Sequence, residues 1–279
     1  MILTADSGST KTDWALINGA HCIAQIQSAG CNPYFLQLAE MRELFYTIRE
    51  QLPPGNVDEI YFYGAGCTPG EKTDTVARAL ASVFGPDCAI SVESDMLGAA
   101  RALCGTQPGI ACILGTGSNS CLYDGQSIVA NVSPLGFILG DEGSGANLGK
   151  IFVGSVLKDQ ISAQIKEEFL HHYGPVADII ERVYRKPLPN RWLASLSPFI
   201  LSHIDCPQVK QMVEEAFGAF LRRNIANYNR PDLAVNLTGS VAYYYKDIIC
   251  QAARDAGFKI GSVTKSPLDG LVAYHTQKP

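Results

Sequence analysis

Short apolar runs separated by polar, glycine-rich turns open the chain. Residues 2–5, 13–17 and 22–26 carry the clustered or alternating apolar positions of strands, which predicts a three-strand meander. A helical period over residues 36–51 stops at Pro53-Pro54-Gly55. Residues 59–63 then read as a strand, 71–84 as an amphipathic helix ended by Gly85-Pro86, and 88–92 as a further strand. Ser94 or Asp95 caps a helix over 96–104, and the stretch Gly105-Thr-Gln-Pro-Gly109 marks a domain junction.

The pattern then starts again. Strands at 110–114, 120–123 and 127–132 enclose a glycine-rich turn and the turn Asp124-Gly125, so the opening meander recurs. From Gly143 to about Tyr228 the chain is helical, with breaks at Gly174-Pro175, Pro187, Pro189 and Pro207. A strand at 233–237, a helix at 240–256, a strand at 258–263 and a helix at 269–275 complete it. Two halves with matching openings predict an internally duplicated α/β architecture, inferred from pattern because the residues themselves are little alike. The expected domains are residues 1–107 and 108–279, the second containing a helical segment at 144–230, with the last helix packing back across the junction.

Composition narrows the function. The 279 residues suit about two domains, and 47% hydrophobic with 18% charged residues is ordinary for a soluble globular protein. A net charge of −5 without any Lys/Arg cluster argues against a nucleic-acid-coating surface or a polybasic membrane patch. No apolar stretch approaches the roughly 18 residues of a spanning helix, and no basic start or apolar leader follows Met1, so a cytoplasmic protein is expected. Nine cysteines form an odd set without a C-x-x-C pair, which reads as reduced thiols rather than a disulfide framework or zinc site.

Three turns carry candidate chemistry. Asp6-Ser-Gly-Ser-Thr-Lys-Thr12 sits between two strands, where backbone amides around Gly8 together with Ser9, Thr10 and Lys11 can cradle a phosphate; a plain polar hairpin turn is the competing reading. It is not a Walker A loop, since the spacing is absent and a strand follows. The turn Gly115-Thr116-Gly117 has the same character at the equivalent place in the second meander. Opposed turns from two domains can hold the two ends of a polyphosphate. At Leu237-Thr-Gly239-Ser240 a strand ends and a helix begins, the usual place for a nucleotide in an α/β crevice, or simply a tight strand-to-helix turn.

Together these segments resemble the phosphate-1, phosphate-2 and adenosine segments of the actin, sugar kinase and Hsp70 superfamily. Within it the chain is similar to the branch of N-acetylglucosamine kinases and BadF/BadG-type ATPases, over nearly its whole length. The most specific piece is Leu135-Gly-Phe-Ile-Leu-Gly-Asp-Glu-Gly-Ser144, which resembles the block following the second phosphate turn in N-acetylglucosamine kinases; Gly117-Ser118-Asn119 and Asn32 also match. Ser9 departs from the family's second glycine, and Leu135 stands where animal enzymes have an aromatic residue.

The resemblance implies two actin-like, ribonuclease H-like domains with a nucleotide cleft between them, ATP and Mg²⁺ as cofactors, and transfer of the γ-phosphoryl group to an N-acetylated amino sugar. It makes Asp95 the base on the sugar hydroxyl, where the residues alone also allow a helix N-cap. Asp6 becomes the magnesium residue, generally through water, against an Asx-turn role. Gly8, Ser9, Thr10, Lys11, Gly115, Thr116, Gly117, Gly239 and Ser240 become the ATP segments. Asn32, Ser118, Asn119 and Asp141 match sugar-contacting positions, although 141–144 also suits an acidic helix N-terminus. Tyr243-Tyr-Tyr245 reads as core packing rather than a stack on adenine. A homodimer fits the same picture. The rival readings are a reductase- or dehydratase-activating ATPase, which needs cysteines that bridge two subunits, and a catalytically inactive sugar-binding regulator.

Overall fold

The computed structural model describes residues 1–8 and 10–277. The chain falls into two compact units. One comprises Met1–Pro108, Tyr123–Ile128 and the terminal segment from Ser266; the other comprises Gly109–Leu122 and Val129–Lys265.

The first unit is built on β1 (Ile2–Ser7), β2 (Lys11–Asn18), β3 (His21–Ala29), β4 (Glu59–Gly64) and β5 (Ala89–Ser94), with helices α1 (Leu38–Gln51), α2 (Glu71–Phe84) and α3 (Asp95–Cys104). The strand order is β3-β2-β1-β4-β5. The predicted meander is antiparallel, and β4 and β5 then run parallel to β1. Central β1 and β4 are apolar enough to be buried on both faces, as parallel strands covered by helices require. The core gathers Trp14, Phe45 and Phe62 with centroids 5.7–6.1 Å apart. These are offset or edge contacts, the favoured geometry for aromatic pairs.

The second unit repeats that plan. Its strands are β6 (Gly109–Leu114), β7 (Ser118–Tyr123), β8 (Ile128–Val132), β9 (Val235–Thr238) and β10 (Ile260–Thr264). Their order, β8-β7-β6-β9-β10, is that of the first sheet with each strand replaced by its counterpart. The duplication read from the hydrophobic pattern is therefore present in the topology. Between β8 and β9 come α4 (Gly136–Leu139), α5 (Gly145–Leu157), α6 (Ala163–Tyr173), α7 (Val176–Tyr184), α8 (Pro189–Ser195), α9 (Ser197–Ser202), α10 (Pro207–Arg223) and a 3₁₀ turn at Ile225–Tyr228. Helix α5 lies so close to α8 that a Cβ on Gly149 would stand 2.1 Å from the Leu193 carbonyl oxygen.

Several boundaries differ from the sequence reading. The helix expected at 240–256 is broken at Tyr245 into α11 (Ser240–Tyr244) and α12 (Lys246–Asp255). Tyr245 is buried and its hydroxyl donates to the Ser197 carbonyl at 2.7 Å, which fixes the break. Tyr243 and Tyr244 are exposed, so core packing holds for one tyrosine of the three. The last helix, α13 (Leu268–Thr276), packs on α3, β1 and β2 and groups with the first unit. Among the described residues no helix is long and apolar enough to cross a membrane, and all nine cysteines are free thiols.

Candidate active site

In the first unit the chemistry collects at the carboxyl ends of β1, β4 and β5. Ladder pairing aligns Asp6 with Tyr63 and Tyr63 with Glu93, and in the next row Ser7 with Gly64 and Gly64 with Ser94. Asp95 follows directly, so its backbone lies two strands across and two residues along from that of Asp6, roughly 12 Å away. Desolvation, then the charge of Asp95, then that of Asp13 push the Asp6 carboxyl up to about 7, against a lowering by Lys11. Asp95 is also raised by desolvation, partly offset by amide hydrogen bonds.

The helix cap that competed for Asp95 is supplied by its neighbour. Ser94 Oγ accepts from the Leu97 amide at 3.2 Å, the geometry of an N-cap, while Asp95 is the first residue inside α3 and accepts from the Met96 amide at 2.8 Å. Gly98, one turn on, lets α3 sit against Tyr63: a Cβ there would be 2.7 Å from the Tyr63 Cβ.

The first turn is held by a pair the sequence reading passed over. Ser7 and Thr12 face each other across the hairpin with hydroxyls 2.7 Å apart, and Ser7 Oγ bonds both the Cys31 amide and its carbonyl. Their register opposite one another was the available signal. This pins the segment carrying Asn32, whose Oδ1 accepts from the Tyr34 amide at 2.9 Å. Gly66, at φ +78°, is required beside it, since a Cβ would stand 2.5 Å from Asn32 Oδ1. Gly8 donates to the Lys11 carbonyl, and Thr10 accepts from the Gly30 amide. The Lys11 ammonium is engaged by Asp13 at 2.7 Å. Ser9 lies outside the described residues.

In the second unit the Gly115–Thr116–Gly117 turn is organised by the start of α5. The Gly115 and Thr116 carbonyls accept from the Gly145 and Ala146 amides at 2.8 and 3.0 Å. In a trans peptide the N–H points opposite to the C=O, so the Thr116 and Gly117 amides face away from α5, as successive donors in an anion nest do. Gly239, at φ +113°, abuts this turn: a Cβ would be 2.3 Å from the Leu114 carbonyl oxygen. Ser240 then opens α11.

Asp141 is outside α5 rather than in its acidic first turn. Its backbone is left-handed at φ +55°, Ser144 is the helix cap, and Asp141 Oδ1 accepts from the Ser118 amide at 3.3 Å. Gly117 provides the room, as a Cβ there would be 3.0 Å from Asp141 Oδ2. Burial raises the Asp141 carboxyl, with the Ser118 amide opposing. Asn119 Oδ1 accepts from the Ser120 amide and from Asn131, both at 2.9 Å. Glu142 turns inward onto Arg223 at 2.7 Å and Asn224 at 3.3 Å, tying the block to α10.

Paired five-stranded sheets of one topology, each with a glycine-bearing turn after its first strand, define the actin-like fold of sugar kinases. No family model matches the sequence, and no curated protein matches it either. Among solved structures, a "Putative N-acetylglucosamine Kinase" from Porphyromonas gingivalis is 50% identical over 100% of this chain and 99% of its own, with a TM-score of 0.95. A second protein so named, from Chromobacterium violaceum, is 19% identical over 98% of each chain with a TM-score of 0.77. A ROK family glucokinase from Streptomyces griseus, solved with glucose and AMPPNP, is 14% identical over 98% and 97%, with a TM-score of 0.59, and shares the fold. The chain belongs to the N-acetylglucosamine kinase family, within the actin-like fold of sugar kinases.

Proposed function

We propose that the protein transfers the γ-phosphoryl group of ATP to a hydroxyl of an N-acetylated amino sugar, N-acetylglucosamine first among them. The observation that carries this reading is the placement of Asp6 and Asp95 at the carboxyl ends of β1 and β5 of one sheet, with the cap of α3 supplied by Ser94. A carboxylate lifted above its ordinary value by desolvation is a stronger base, and phosphoryl transfer to an alcohol needs such a group within reach of the nucleophilic hydroxyl. Asp95 accepts the hydroxyl proton. Asn32 and Asn119 offer amide donors to sugar oxygens, their Oδ1 atoms being engaged within the protein, and Asp141 accepts from sugar hydroxyls. The Thr116 and Gly117 amides, Gly8, Thr10, Lys11, Gly239 and Ser240 hold the nucleotide.

The residues suit Mg²⁺. Among the described residues no three acidic, His or Cys side chains gather as a protein-only cage. Magnesium typically keeps several waters and takes one or two carboxylates with substrate phosphates, and a dication offsets the desolvation and the neighbouring negative charge that raise Asp6. Asp6 would hold it, directly or through water, and the ion would neutralise charge on the phosphates.

Asp95→Asn tests the assignment. It keeps the side chain's size and leaves Ser94 to cap α3, so the melting temperature should move little. Single-turnover phosphorylation should fall by about 10² to 10⁴, the usual worth of a general base, with ATP and sugar affinities within a few-fold. An unaltered rate on folded protein would remove Asp95 from the mechanism.

A further inference from the structure

We propose that Tyr63 and His275 are positioning residues for Asp95, through which the last helix of the chain holds the helix carrying the catalytic carboxylate. This rests on the reading of Asp95 as the base. Helix α3 starts at Asp95 and is fixed at successive turns. Gly98 lies on Tyr63, where a Cβ would stand 2.7 Å from both Cβ and Cγ of the tyrosine. Arg101 Nη1 donates to the Tyr63 hydroxyl at 2.9 Å, and its guanidinium lies 5.7 Å from the Tyr63 ring centroid and 5.5 Å from that of Tyr274. Ala102 meets α13 at Gly270, where a Cβ would be 2.3 Å from the Ala102 carbonyl oxygen.

His275, on α13, closes the arrangement. Its Nε2 lies 3.0 Å from the Tyr63 hydroxyl, and its ring stacks on Tyr61 with centroids 4.0 Å apart. Arg101 donates to the phenol oxygen, and the same hydroxyl shares a second hydrogen bond with His275 Nε2, so the phenol joins α3 to α13. Tyr63 and His275 are both buried. Apolar packing alone leaves a helix free to slide by fractions of an ångström, whereas buried hydrogen bonds with defined donors and acceptors fix its register. Tyr63 also pairs with Asp6 in the β1–β4 ladder. One residue therefore references both carboxylates, Asp6 through the sheet and Asp95 through α3, and sets the spacing between them.

Tyr63→Phe keeps the ring that seats Gly98 and deletes only the hydroxyl. His275→Leu removes the partner, while His275→Gln restores a hydrogen-bonding group. Single-turnover phosphorylation, KM for sugar and ATP, and melting temperature are read for each. Tyr63→Phe and His275→Leu should lower kcat about 5- to 30-fold with KM within two-fold, since small misplacements at a reacting centre are costly in rate. His275→Gln should recover at least half of the wild-type rate. Wild-type kcat in Tyr63→Phe, whatever the change in melting temperature, would make the network purely structural and overturn the proposal, as would losses that appear in KM alone. Should His275→Leu not fold, Tyr63→Phe with His275→Gln decides. If Asp95→Asn itself turns over at the wild-type rate, the reading of the base has failed; if it is inactive while Tyr63→Phe is unimpaired, only the positioning role has.

Discussion

Asp6 is placed where its charge is costly. In the folded protein it holds a proton up to about pH 7, while the unfolded chain releases it near the ordinary value of 3.8. The folded state thus binds more protons between those values, and this group's contribution to stability declines as pH rises through that window. Calorimetric melting of metal-free protein should show a falling melting temperature from about pH 4 to 7, and Asp6→Asn should remove most of that slope. The same variant should impair nucleotide turnover with little loss of sugar affinity by titration calorimetry; full turnover would reduce Asp6 to a turn residue. The sequence could offer Asp6 and Asp95 only as polar residues at strand ends, because cap and base look alike without coordinates. The hydrogen bond from the Leu97 amide to Ser94 Oγ shows which side chain caps α3, and that choice between adjacent polar residues leaves no trace in the sequence.

At the scale of elements, the strands and most helices were legible because apolar period and glycine or proline punctuation agree: α2 falls where its amphipathic run and Gly85-Pro86 set it. What pattern could not give was the conformation inside the turns. α4 and the left-handed Asp141 exist because Gly140 and Gly117 let backbone and carboxylate approach, and neither contact leaves a periodic trace. Likewise α11 and α12 divide at a long-range hydrogen bond from Tyr245. Gly239 shows how much such a turn depends on one residue. Gly239→Ala adds a Cβ against the Leu114 carbonyl at a φ of +113°. Backbone strain of that kind costs about 1–3 kcal/mol. The variant should melt lower and bind ATP at least several-fold more weakly, with sugar affinity preserved. Equal losses for both ligands by calorimetry would place Gly239 outside the nucleotide segment.

At the scale of the whole molecule, duplication explains why the two sheets share one strand order and why each carries its turn after its first strand. That much was readable from two matching meanders. The grouping of α13 with the first unit was readable less fully, since its anchors, Gly270 on Ala102 and His275 on Tyr63, join residues far apart in sequence. The reductase-activating alternative within the superfamily requires cysteines that bridge two subunits, and iron and sulfide in protein purified without oxygen would favour it. The central claim is that the chain is a kinase of N-acetylated amino sugars, and product analysis tests it most directly. Purified protein is incubated with ATP, Mg²⁺ and, separately, N-acetylglucosamine, glucosamine, N-acetylmannosamine and N-acetylmuramate, and sugar phosphate is quantified by mass spectrometry. The account predicts stoichiometric ADP and sugar phosphate with an N-acetylated sugar, highest for N-acetylglucosamine. ATP hydrolysis that proceeds alike with and without sugar, and leaves no phosphorylated sugar, would contradict it.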